Sequence, residues 1–499
     1  MSDTATRKKP NKFRWLIRGA IALVVLLIAL VIAVGVIGKS YVTPDYIVSM
    51  IEAENNCRVQ IDSTEVSLFS VPSKVEIKGL KIVPRDEHAD AGTKLADRPP
   101  LTGGLLTANS ITLEANLLDL LSKKISVKHL TIDELNVAEL LIEDEGGPRT
   151  SKNGPKLDAL FDPPVLVKGN ENPEFEEKKR RRELAKERRK QEKENRTPAA
   201  EEEKFAISEL PLPATMNALN IKNARLNAKI RRNKTRITFS NIQIKVSDID
   251  VDPGDLAKHN KARVNISCHL DIEDRDRTIK YADLEIRSEG EVIPFDPLTG
   301  YINPDLIYKI TILKGSKLDT IPSLVKLATK IKKLNEIGLK LDALADSITF
   351  AKDTSVSLGY REDALRFLEP TEIEFNGHLL RIKENAWLHT GSNQHEAMAE
   401  VLLSKEASDK ALGNAEEFLA EKAKSYSFDK DLVLKYSRKL LEPVTKNGQV
   451  WVPFTSTGDL NDPKVRPDVD LQSLAETMAL EALGDLLEKT QQDASNRNP

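Results

Sequence analysis

Residues 262–274 read ARVNISCHLDIED, and apolar and polar positions alternate along them. Val264, Ile266, Cys268, Leu270 and Ile272 share one set of alternate positions, and Asn265, Ser267, His269 and Asp271 share the other. Neighbouring side chains of a strand point to opposite faces, so this stretch is expected to be a strand with one apolar side and one wet side.

The same period of two recurs on both sides of it. Toward the N-terminus, SKVEIKGLKIVP (73–84) places Val75 and Ile77 on one face and then shifts at Gly79 to Leu80 and Ile82. The following stretch offers Ile111 with Leu113, Ile125 with Val127, Leu130 with Ile132, and Leu135 with Val137, interrupted by NLLDLLSKK (116–124), which fits a short helix or turn. Alternation also runs through 219–230, 235–251, 278–295, 305–315, 346–360 and 371–390. Strands of this kind are half-buried, with one face covered and the other in water.

Elsewhere the period changes to that of a helix. Ile321, Leu324, Val325, Ala328, Ile331 and Leu334 form an apolar stripe within 320–344, a second helical region runs from about Glu396 to Leu441, and DLQSLAETMALEALGDLLEK (470–489) is amphipathic.

The first forty residues carry a different signal. From Gly19 to Gly38 there is no charge, and about 20 residues at ~1.5 Å rise cover a ~30 Å hydrocarbon core. Arg7, Lys8, Lys9, Lys12, Arg14 and Arg18 precede this run and only Lys39 directly follows, so the N-terminus is expected to stay cytoplasmic and the rest of the chain to lie outside the cytoplasm. A cleaved signal peptide is the alternative, but its apolar core is ~7–15 residues and no convincing small-residue cleavage site follows here. An uncleaved single-pass anchor is the expectation.

Composition narrows the function classes. In 499 residues, 74 basic against 77 acidic side chains leave a formal charge of -3, so no global basic field points to nucleic acid. Aromatic residues make up 5% while aliphatic ones abound, which suits acyl chains better than bases. Cys57 and Cys268 are the only cysteines; two thiols make no disulfide framework, and whether they pair is left open by the sequence. Residues 174–204 are mostly charged, with Glu176 and Arg180, Glu177 and Arg181, and Arg188 and Glu192 four apart. They lack an apolar seam, so a solvated helical spacer is expected rather than a coiled coil.

Catalytic patterns are not found. His389 and His395 are six apart, which is not the spacing that sets two ligands on one helix face, and both read as surface histidines. Ser323 to Lys326, SLVK, has the S-x-x-K shape of serine acyl-enzymes, but its central pair belongs to the apolar stripe. Dinucleotide, P-loop and nucleophile-elbow motifs are missing. No catalytic residue, metal or cofactor is expected from these residues.

One phrase near the end is more definite. Val452-Pro453-Phe454, Gly458-Asp459-Leu460 and Pro463-Lys464-Val465-Arg466-Pro467-Asp468 follow one another in WVPFTSTGDLNDPKVRPD (451–468). A strand through Thr455 to Thr457 would close a sheet, Gly458 would bend it, and two prolines, which donate no ladder hydrogen bond, would stop further pairing. This phrase, with RVQIDSTEVSLFSVPSKVEIKGLKIVP (58–84) and LLTANSITLEANLLDLLSKKISVKHLTIDELNVAELLIE (105–143), resembles the AsmA-like family of envelope proteins over about 41–145 and 448–487. The charged run 174–204 departs from that family's pattern.

The resemblance implies a bridge-like lipid-transfer protein whose sheet curls into a groove for acyl chains. Read with the residues, it gives an α+β fold: an N-terminal transmembrane helix, then a long curled antiparallel β-sheet with amphipathic helices covering parts of it and its C-terminal end. The expected organisation is a basic cytoplasmic tail (1–18), the anchor (19–38), an N-terminal β-rich domain (39–169), the charged linker (170–204), a β-groove with inserted helices (205–395), and a helical, closing-strand and terminal-helix segment (396–499). The expected groove face is Val75, Ile77, Ile111, Leu113, Ile125, Val127, Val264, Ile266, Leu270 and Ile272. The expected closing motif is Pro453, Phe454, Gly458, Leu460, Pro463 and Asp468. Partners would be membrane phospholipids and other envelope proteins, in support of envelope biogenesis. The competing expectation is a structural or regulatory envelope protein with a closed core and no lipid transfer.

Overall fold

The computed structural model describes residues 43–67, 72–85, 97–116, 125–142, 148–149, 166–167, 170–171, 214–230, 234–252, 254–274, 276–319, 321–330, 339, 341–361, 364–389, 392–425, 441–460 and 462–468. The fold is sheet-dominated α+β with few helices. No helix among the described residues is long and apolar enough to cross a membrane. The expected anchor, the NLLDLLSKK turn, the charged linker 170–204 and the terminal helix all lie outside the described residues apart from Asn116, Asn170 and Glu171. The chain divides into two compact units, one within Pro10–Ile310 with Tyr360–Glu362, the other including Thr311–Gly359 and Asp363–Pro499.

The first unit opens with α1 (Pro44–Glu54), where the Thr43 hydroxyl accepts from the Tyr46 N–H and Pro44 sits in the first turn. The strands follow as β1 (Cys57–Gln60), β2 (Ser63–Ser67), β3 (Ser73–Pro84), β4 (Leu106–Ala115), β5 (Ile125–Asp133), β6 (Asn136–Ile142), β7 (Ala214–Ile230), β8 (Thr235–Val251), β9 (Asn260–Asp274), β10 (Lys280–Phe295) and β11 (Ile302–Ile312). The stretch 262–274 is indeed a strand, β9, paired antiparallel with β8 and β10.

The sheet is mixed rather than purely antiparallel. β7 runs parallel to β5 and then to β6. Parallel neighbours need a long crossover, and the residues between Ile142 and Ala214 supply one.

Ile47, Val48 and Ile51 of α1 pack with Val59, Ile77, Ile111, Leu130 and Ile132 into the unit's core, which reaches Leu219 and Ile221 on β7. Glu52 anchors the helix: its buried carboxylate accepts from the Val59 N–H at 2.8 Å and from Arg98 Nη1 at 2.6 Å.

In the second unit, α2 (Pro322–Lys330) is followed by β12 (Thr371–Phe375), β13 (His378–Ile382), β14 (Gln394–Leu402), α3 (Lys405–Ser425), β15 (Gln449–Asp459) and β16 (Asp462–Pro467). β12 and β13 join through Asn376-Gly377, both with positive φ, as a two-residue hairpin turn requires. α2 buries Leu324 and Leu327 fully, so its inner face is one turn of the expected stripe plus a leucine outside it.

The helix expected from Glu396 starts later. Gln394–Leu402 is β14, held between β13 and β15, and helix begins only at Lys405. Its Glu, Ala, Met and Leu residues favour a helix locally, and two-sided pairing overrides that preference.

Candidate functional site

The registers of the first unit assemble the alternating strands into continuous cross-strand rows. One runs Ile77, Ile111, Ile132, Ile221, Ile244, Ile266, each directly opposite the next on β3, β4, β5, β7, β8 and β9. Beside it run Val75, Leu113, Leu130, Leu219, Val246 and Val264. A longer row runs Val59, Ile82, Leu106, Val137, Leu226, Phe239, Leu270 and Leu284. Directly opposed residues share a face, so the expected groove residues Val75, Ile77, Ile111, Leu113, Val264, Ile266 and Leu270 lie on one surface. Val127 joins them opposite Ala115 and Met216, Ile272 opposite Ile237 and Ala282, and Ile125 aligns with Ala214.

The rows stay on one face because the strands change parity at the same level. The apolar positions step from Ile77 to Leu80 on β3, from Ile111 to Ala108 on β4, from Ile221 to Ala224 on β7 and from Phe239 to Ile242 on β8. Left-handed residues stand at this level: Gly79 (φ 67), Glu134 (φ 51), Asn223 (φ 52) and Asn241 (φ 51). At this level the register shifts between β7 and β8 and between β8 and β9, and such bulges bend a strand and raise its twist. Beside Gly79, Glu134 and Asn223 lies a hollow of 560 Å³ rimmed by Asp62, Lys81, Glu134 and Arg225. Of these bends only Gly79 announces itself in the sequence; Asn and Glu also occur in ordinary strands and turns.

Coverage of the face is graded. Under α1, Ile77 is 4% exposed and Ile132 1%. On β8, in the middle of the sheet, Ile237, Phe239, Ile244 and Val246 are all only half-buried, as is Ile266 on β9. Toward β10 the cover tightens unevenly: Val264 and Cys268, two residues either side of Ile266 on β9, are both at 9%, and Leu284 on β10 is at 8%. At that end Val264 faces Gly290 of β10, where an added Cβ would lie 2.1 Å from the Ile307 carbonyl oxygen and 2.9 Å from Tyr308 Cα. The β11 backbone therefore crosses the end of the row, and only glycine admits it. Burial there raises the Tyr308 hydroxyl above its ordinary value.

Both thiols are free and buried. Burial, reinforced by Glu52, pushes Cys57 up to about 12, and burial with Glu285 raises Cys268.

The closing motif forms a hairpin in the second unit. Phe454 is 2% exposed, Gly458 turns at φ 93 opposite His395, and Leu460 stands largely exposed in the connection. Pro463 and Pro467 lie inside β16 rather than after it, paired with Gly458 and Phe454. The Asp468 N–H donates to the Pro453 carbonyl, so alternation turns positions 463, 465 and 467 outward. Two of those three are prolines, and the outer edge keeps only the Val465 amide as a ladder donor. Thr455 Oγ1 donates to Asp468 Oδ2 at 2.9 Å and fixes the strand's end.

His395 is not a surface residue. It is 6% exposed; its Nδ1 donates to the Gly458 carbonyl at 2.8 Å, and its Nε2 lies 2.8 Å from the Ser456 hydroxyl oxygen. Ser456 Oγ is also 3.0 Å from Ser323 Oγ, which ties α2 to the closing strand. Lys326, the other end of the SLVK stretch, reaches instead to Asp462 at 2.8 Å, so Ser323 and Lys326 serve different partners. His389 Nδ1 accepts from the Ser392 N–H at 3.2 Å.

No family model, curated protein or solved structure matches the chain.

Proposed function

We propose that the chain is a membrane-anchored, AsmA-like lipid-handling protein that holds or passes phospholipid acyl chains along the aliphatic face of its first unit, without bond chemistry. The observation that carries this reading is the set of unbroken apolar rows whose middle, on β8, is half-buried. Full burial of one such side chain is worth about 1.5–3 kcal/mol, so a row left partly in water favours any apolar cover. The longest row spans seven inter-strand steps, ~34 Å at ~4.8 Å each, against a ~30 Å hydrocarbon core that two acyl chains fill end to end. One chain would thus occupy about half of the row. The uncharged run 19–38 and its basic flank supply the anchor in this reading, with the folded units beyond the inner membrane.

Gentle detergent extraction followed by lipid analysis tests it. Phospholipid should co-purify above the level carried by an unrelated single-span protein, and an equal level would count against the reading. The second reading, a closed-core structural protein of the envelope, draws on the burial of Val264, Cys268 and Leu284, and gains from that negative result. External protease on spheroplasts should digest the chain beyond Tyr41; protection would remove the envelope location from both readings.

A further inference from the structure

The wet face of β9 and β10, opposite Leu270 and Leu284, gathers one imidazole and three carboxylates. His269 stands opposite Glu285, and Asp271 opposite Asp283. His269 Nδ1 is 2.8 Å from Glu285 Oε1, while Nε2 is 2.9 Å from Asp271 Oδ2 and 3.4 Å from Asp283 Oδ1.

We propose that His269, Asp271 and Asp283 form a binding site for a divalent transition metal of the zinc class, with Glu285 holding the imidazole in its ligating tautomer.

Three features support this assignment. A carboxylate only accepts, so in the neutral imidazole Nδ1 keeps its proton for Glu285 and Nε2 turns its lone pair toward the two aspartates. A carboxylate behind a ligating histidine is the usual outer partner of such ligands. The spacings fit as well: with bonds of about 2.0–2.1 Å, the edge of a tetrahedron is ~3.3 Å, and 2.9 and 3.4 Å bracket it. The ligand atoms of the three residues all lie within 4.8 Å of one another, so closing the third edge asks for a small side-chain movement. Finally, the charges match, since two carboxylates and a neutral imidazole offset a dication. A mixed nitrogen and oxygen set selects zinc over the all-oxygen preferences of calcium and magnesium.

Lys280 does not occupy the same atoms. Its Nζ is 2.6 Å from Asp271 Oδ1 and 2.7 Å from Asp283 Oδ2, the oxygens that His269 does not face. It can stay and orient both carboxylates. On the other side the neighbours of His269 and Asp271 are Ser240 and Thr238 of β8, which carry no charge. A proton competes with the metal: burial lowers His269, but the Glu285 hydrogen bond and the charges of Asp271, Glu285 and Asp283 outweigh it and raise the ring above its ordinary value.

Titration of the untagged full chain in detergent with Co²⁺, then Zn²⁺, decides the matter. One equivalent of Co²⁺ should give visible ligand-field bands that Zn²⁺ abolishes. His269→Ala and Asp283→Asn should each remove the saturable binding while keeping the far-ultraviolet circular dichroism of the folded chain, and Asp283→Asn decides alone should the first variant not fold. Glu285→Gln should weaken binding by roughly 10–100-fold, the usual cost of losing such a partner. Lys280→Met should retain it. No saturable binding to the wild-type chain, or binding that survives both His269→Ala and Asp283→Asn, would overturn the site.

Discussion

Ile221 on β7 lies directly opposite Ile132 on β5 in a parallel pairing, although the whole charged run 174–204 separates them in the chain. After β6 the chain makes one more short antiparallel pairing, Pro148–Arg149 against Leu141 and Ile142, and later returns alongside β5, and the aliphatic row crosses this junction without a break. The charged run therefore belongs to a connection whose ends are fixed by pairing on either side.

Removing residues 174–204 and joining the ends with a short Gly/Ser loop should leave the fold intact. Roughly 40 connecting residues would remain, able to span ~130 Å when extended, against a β7 strand of ~55 Å. Circular dichroism and the melting temperature of the excised variant check this. Loss of more than a few degrees would show that the run contributes packing.

Gly290→Val should destabilise the first unit by about 1–3 kcal/mol, because the side chain must displace the β11 backbone. Ser288→Val, on the same face one row away, is the control and should be nearly neutral. Denaturant midpoints of the two variants separate a backbone collision from a general intolerance of bulk on β10.

Two histidines should respond to pH with opposite signs. His378 Nδ1 accepts from the Ser404 N–H at 2.8 Å, which only the unprotonated nitrogen can do; burial lowers its affinity for a proton, with Asp346 opposing. Its folded value lies below that of the unfolded chain, so stability is lost as pH falls through the ordinary imidazole value near 6.5 toward the lowered one. His269 is raised, so its contribution is present below 6.5 and lost as pH climbs through the raised value. Relative to wild type, His378→Gln should flatten the acid loss and His269→Gln should gain as pH rises. Melting temperatures between about pH 5 and 8 read both slopes; equal slopes for the two variants would contradict the assignment.

Neither cysteine should react with iodoacetamide at pH 8 in the folded chain, since burial keeps both thiols protonated and shielded. Both should react once the chain is unfolded. Rapid native alkylation of Cys268 would mean that its face of the sheet is open to water-borne reagents.

The strands were legible because alternation is local. The stretch 262–274 shows which side of β9 is apolar without any knowledge of its neighbours, and Gly79 marks its own bend. The parallel return of β7 was not legible, because register is set by partners that the connecting residues do not encode. The same holds for β14, whose Ala, Met and Glu residues speak for a helix until two flanking strands claim them, and for His395, whose burial depends on Ser456 and Gly458 arriving from the closing hairpin. The cluster around His269 was hidden for a related reason. Its members alternate innocently along β9 and β10, and only the cross-strand register brings them together.

Whether the aliphatic face meets acyl chains is tested at one-residue resolution by capture with photoreactive side chains in native membranes. A probe at Ile244 or Ile266, half-buried and opposite each other in one row, should cross-link phospholipid, whereas the same probe at Asn265 or Ser267, on the wet side of β9, should cross-link little. Equal capture at Ile266 and Asn265, or none at either, would contradict the account.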